Sequence, residues 1–68
     1  METRQLDTGI KLAYRLYREE WITQMQFWEI EGALIDIYNQ DDWDFFHSMG
    51  KYAKEKATEI LYTIGYLI

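Results

Sequence analysis

Asp44-x-x-His47 is the pair in this 68-residue chain whose types and spacing suggest metal or proton chemistry. Three residues apart on a helix, a carboxylate and an imidazole share a face. A di-metal carboxylate bundle draws Glu ligands from several helices and carries Glu-x-x-His pairs on two of them. Glu29, Glu31 and Asp36 could be recruited, but no Glu-x-x-His is present. The simpler duty is structural, with Asp44 favouring a helix start and His47 lying on the surface. The run from Asp36 to Asp44 holds four aspartates but lacks the central Gly and the later Glu of a calcium loop, and it interposes Ile37 and Trp43. It reads as a connection between helices. Ser48 adjoins His47, and sequence neighbours on a helix do not face each other. With no cysteine and a single histidine, neither a thiolate site nor a nucleophile–base–orienter set can be assembled from one chain. No enzyme activity, cofactor or metal is expected.

Recognition is the chemistry left. Residues 21–50 hold all three tryptophans (Trp21, Trp28 and Trp43) with Phe27, Tyr38, Phe45 and Phe46. They also hold Glu29, Glu31, Asp36, Asp41, Asp42 and Asp44, and no Lys or Arg. Residues 1–20 balance Arg4, Lys11, Arg15 and Arg18 against Glu2, Asp7, Glu19 and Glu20, so the net charge of −5 originates in the middle of the chain. Phosphate backbones and anionic lipid surfaces are gripped by Lys and Arg clusters. Direct nucleic-acid binding and membrane binding are therefore disfavoured. Tyr14-Arg15-Leu16-Tyr17-Arg18 interleaves aromatics with arginines as a stacking surface does, but Glu19 and Glu20 follow at once. A basic protein fits the acidic surface better. The plain alternative is that the acids keep an aromatic-rich chain in solution.

These side chains must be positioned by helices. Proline is absent, no stretch resembles a linker, and no internal repeat stands out. Leu6, Ile10, Ala13 and Tyr17 recur at 4-3-4 spacing, widened by Leu12 and Leu16, and predict a helix over about 3–20. Thr23-x-x-Gln26 has the form of a capping box and starts a second helix, over about 24–38. That helix is apolar twice. Met25, Trp28, Gly32 and Ile35 form one face, and Phe27, Ile30, Leu34 and Ile37 another. At about 100° per residue the two faces point in nearly opposite directions. Asn39–Asp42 reads as a loop, with Asp41 or Asp42 capping the next helix. Trp43, Phe46, Gly50, Ala53, Ala57, Ile60, Ile64 and Leu67 then keep a 3-4 spacing that predicts one long helix over about 43–65. Gly50, Ala53 and Ala57 leave room at its centre, and Trp28 is a natural occupant. The β-branched and aromatic end, Ile60–Ile68, also fits a strand.

The expected architecture is one all-α domain over residues 1–68, a three-helix unit with a long C-terminal helix. A chain this short has a marginal core. Lacking disulfides and metal, it gains most from self-association. The two-faced second helix calls for the same remedy. A homodimer forming a six-helix bundle is therefore expected, with Phe27, Trp28, Ile35, Trp43, Phe46, Ile60 and Ile64 at the interface. The N-terminus lacks the apolar run of a signal peptide and the longest uncharged run, Ile60–Ile68, is too short to span a bilayer, so a cytoplasmic setting is expected. The expected function is a small acidic protein-binding module. Size and composition associate it with phage or mobile-element inhibitors and anti-defence adaptors that bind a basic, nucleic-acid-handling host protein. The alternative is a self-assembling structural protein with no foreign partner.

Overall fold

The computed structural model describes all 68 residues and is helical throughout, without strands. Its elements are α1 (Thr3–Arg18), α2 (Gln24–Gln40), α3 (Asp44–Ser48) and α4 (Lys51–Thr63). The all-α expectation holds. The division into three helices does not.

Helix α1 begins where the Glu2 N–H finds the Gln5 side chain at 2.8 Å. It ends two residues before the expected boundary, in a turn built without glycine. Glu20 takes a left-handed conformation (φ 65°), and the Trp21 N–H returns to the Leu16 carbonyl at 2.9 Å. This is the Schellman closure, which satisfies carbonyls that a helix end leaves unpaired.

Helix α2 starts at the expected capping box. Thr23 Oγ1 accepts from the Gln26 N–H at 3.1 Å, and Gln26 Oε1 accepts from the Thr23 N–H at 2.8 Å. Two orphan donors are satisfied reciprocally. The helix runs two residues past the expected end and closes on Asp41, also left-handed (φ 51°). Asp41 is thus the C-cap of α2. The N-cap of the next helix is neither aspartate but Trp43, which makes no side-chain cap bond; Asp42 stands just before it, and its Oδ1 accepts from the Asp44 N–H at 2.9 Å.

Contacts at their ends make α1 and α2 an antiparallel hairpin. Tyr17 stacks on Phe27 with ring centroids 5.9 Å apart, and Thr3 Oγ1 meets Tyr38 Oη at 2.6 Å. Helix α4 lies across both. Gln5 Nε2 donates to the Ile64 carbonyl at one end, and Tyr52 Oη donates to the Trp21 carbonyl at the other. The core at their meeting comprises Ala13, Ile22, Ile30, Ala33, Leu34, Ile37, Phe46, Met49, Ala53, Ala57, Ile60 and Leu61. Gly9 is the closest approach. A Cβ there would lie 3.2 Å from Leu34 Cδ1 and 3.5 Å from Ile60 Cγ2. The glycine that weakens α1 as an isolated helix is what seats it on α2 and α4.

The expected long helix over 43–65 is broken at Met49 and Gly50, whose ψ angles of 155° and 156° are extended. A straight helix of that length would span about 34 Å; with the break the longest axis of the molecule is 27 Å. Folding at Gly50, where helix propensity is low, lets Phe46 and Met49 enter the core that α4 also lines. The 3-4 seam survives as a list of inward residues, apart from Gly50, which is exposed with nothing near it. Its small residues Ala53 and Ala57 are buried, whereas Trp28, expected beside them, is 53% exposed and outside the core. The end of the chain is neither strand nor continued helix. Helix α4 stops at Thr63, Gly65 turns at φ 81°, and the Tyr66 N–H closes on the Leu61 carbonyl at 3.0 Å. Tyr66 then stacks on Trp43 at 6.3 Å.

Candidate functional site

Helix α2 places the site because it is apolar on two sides and the fold covers one. Ile30, Leu34 and Ile37 are buried. On the other side Met25 is 64% exposed, Trp28 53% and Ile35 36%. Gly32 lies between them and is roofed by Phe45 of α3, whose Cε2 would be 3.5 Å from a Cβ at that position. Phe45 is itself 38% exposed, so it widens the stripe instead of closing it. The result is one apolar surface made by two helices.

Acids border this surface. On α2, Glu29 and Asp36 flank Gly32 at i−3 and i+4 along one edge, and Glu31 lies along the other between Trp28 and Ile35. Asp41, Asp42 and Asp44 follow at the C-terminal end of the stripe. Glu29, Glu31, Asp36 and Asp42 are half-buried, whereas Asp41 and Asp44 are exposed. The ion pairs are Asp7–Lys11 at 3.1 Å, Arg15–Glu19 at 3.4 Å and Lys56–Glu59 at 3.2 Å. All are on α1 or α4 or just beyond them, and none involves the six acids of the middle stretch. The last turn of α2 carries no basic residue. The negative end of the helix dipole therefore adds to these charges without a local counter-ion.

The seven apolar residues expected at an interface between chains divide. Phe46 and Ile60 are in the core; Phe27, Trp43 and Ile64 pack against it. Phe27 lies against Tyr14 and Tyr17, Trp43 against Phe46 at 5.1 Å, and Ile64 beside Gly9. Trp28 and Ile35 alone of the seven remain outward. Met25 and Phe45 join them and were not among the expected interface residues. Phe45 carried a usable signal, since it is aromatic yet out of phase with the Trp43–Phe46 seam.

His47 packs edge-on to Phe46 at 5.5 Å and tilted to Trp43 at 6.4 Å. No group of three or more His, Asp or Glu side chains converges on a point. No helix is long and apolar enough to cross a membrane.

A second aromatic grouping lies at the α1–α2 turn. Lys56 Nζ sits 5.6 Å from the Trp21 ring centroid and 5.4 Å from that of Tyr52, while Tyr52 Oη holds the Trp21 carbonyl at 2.7 Å. The rings are satisfied by the chain's own cation, so the grouping ties α4 to the turn. Periodicity held no sign of it, because its members are 31 residues apart.

Comparison with protein-family models, curated proteins and solved structures finds no match to this chain.

Proposed function

We infer that this chain is a small protein-binding module whose binding surface is the apolar stripe Met25, Trp28, Ile35 and Phe45, and whose partner is a basic protein. One observation carries the reading: an exposed aromatic stripe is bordered by six acids, none of them ion-paired within the chain. Large exposed apolar surfaces with polar rims mark interaction sites, and Trp is among the residues that dominate interface energetics. A rim of one sign selects a partner of the other and speeds its arrival. A protein that handles nucleic acid has such a basic surface, and an inhibitor or adaptor of the phage or mobile-element kind would occupy it.

The homodimer is the second reading, favoured by the same exposed stripe. A two-fold dimer through this face would set like acids against like acids. That repulsion favours the foreign partner.

The test is capture from a cell lysate by the wild-type chain, by Trp28→Asp and by the triple variant Asp41→Asn, Asp42→Asn, Asp44→Asn. Asn at position 42 keeps the side-chain oxygen that accepts from the Asp44 N–H. The expected result is a set of basic proteins retained by the wild type, lost to Trp28→Asp, and reduced by the triple variant and by raised salt. Identical capture by all three chains overturns the reading. Sedimentation at micromolar concentration decides the second reading, with a monomer expected.

A further inference from the structure

The shape of the stripe and the direction of its charge say more about the occupant. Resting on the protein-binding reading above, we propose that the partner presents a basic amphipathic α-helix, lying antiparallel to α2 along Met25, Trp28 and Ile35.

The shape argument concerns what α2 can offer. Extended peptides that bind by strand addition need a sheet edge, and this fold has no strand. The backbone polar groups within α2 are paired inside the helix, so its side is read through side chains. Residues 25, 28, 32 and 35 recur at 3-4-3 spacing, a ridge about 15 Å long. Such a ridge complements the ridge of a second helix. Phe45 of α3 fills the space above Gly32, so the middle of the ridge is presented by Phe45. An incoming helix with anchors at i, i+3 or i+4, i+7 and i+10 or i+11 matches that length.

The charge argument gives the direction. Acids lie along both edges of the ridge, through Glu29, Glu31 and Asp36, so the flanks of the incoming helix are basic. They accumulate toward the C-terminal end of α2, where Asp41 and Asp42 add to the negative dipole end. The positive end of a helix is its N-terminus. Placing that end, with its basic residues, over Asp36, Asp41 and Asp42 makes the two helices antiparallel.

The experiment uses the full chain and synthetic peptides of about 14 residues, long enough to cover the ridge. One peptide has Leu and Lys in a helical period. A second has the same composition in an order without helical period. A third has Glu in place of Lys, and a fourth is basic and proline-rich. Calorimetry is expected to show the helical Leu–Lys peptide binding at least about tenfold tighter than the other three, with Trp28→Asp abolishing the difference. A nitroxide on the peptide N-terminus is expected to broaden the amide signals of Asp41 and Asp42, and one on the C-terminus those of Gln24 and Met25. Equal affinity for the aperiodic or proline-rich basic peptide, still lost in Trp28→Asp, overturns the helix and leaves the binding face standing. Equal binding of the Glu peptide overturns the charge argument. Reversed broadening overturns the antiparallel arrangement. If no peptide binds the wild type, the face and the helix fall together.

Discussion

The two sides of α2 carry similar residues and meet different fates. One side presents Ile30, Leu34 and Ile37, enclosed by α1 and α4. The other presents Met25, Trp28 and Ile35, which keep 64%, 53% and 36% of their surface exposed. Composition separates them in part, since the outer side has Gly32 and the amphipathic Trp28 where the inner has Ile and Leu. The neighbours the chain can supply separate them further. Helices α1 and α4 hold every Lys and Arg, and all ion pairs lie on them or just beyond. Helices α2 and α3 hold none. The apolar surface with no intramolecular cover is thus also the surface with no intramolecular counter-charge, and a partner that corrects one deficit must correct the other.

The sharpest way to break this comparison is to cut both sides and compare the cost. Leu34→Ala on the inner side is expected to lose about 2–5 kcal/mol, because a fully buried leucine leaves a cavity as well as lost transfer energy. For a domain of this size that approaches the whole folding free energy, so urea denaturation should find the variant largely unfolded. Gly9→Val attacks the inner side from α1. The added carbons meet Leu34 and Ile60, and overpacking of this kind costs about 1–3 kcal/mol, read as a lowered midpoint in the same titration. Glu20→Gly works the other way. It relieves a side chain held at φ 65° and is expected to raise stability by about 1 kcal/mol, seen as a higher thermal midpoint. Trp28→Gln on the outer side is expected to change stability by about 0.5 kcal/mol or less. A loss rivalling that of Leu34→Ala, and growing with protein concentration, would mean that a second chain covers this side in solution.

Much of the secondary structure was open to reading, and the reasons are local. The capping box at Thr23 and Gln26 lies within four residues and forms as its pattern implies. The double apolar period of α2 survives folding because helical geometry depends on spacing alone. The termini of α1 and α2 were less legible. Glycine usually marks such a closure, and here Glu20 and Asp41 fill the left-handed position. The break at Met49 and Gly50 was hidden for a different reason. The 3-4 spacing continues through it, and the turn shows only in the tertiary fold, where Phe46 and Met49 join the core that α4 also lines. Phe46 and Ile60 were assigned to an interface between chains because periodicity marks a residue as inward without saying inward to what.

That this protein is helical, that α2 has two apolar sides, and that its acids are segregated from its cations is written in the chain. Each follows from residue order and the turn of the helix. Packing settled which side of α2 is enclosed and that Phe45 crosses to Gly32. It also decided that Trp28 faces outward, away from the small residues of α4. Those outcomes rest on long-range contacts, such as Gly9 against Leu34 and Ile60, through which α1 covers the inner side of α2. A helix can present two faces for burial. Competition among the remaining segments settles which one is filled and which is left for a partner.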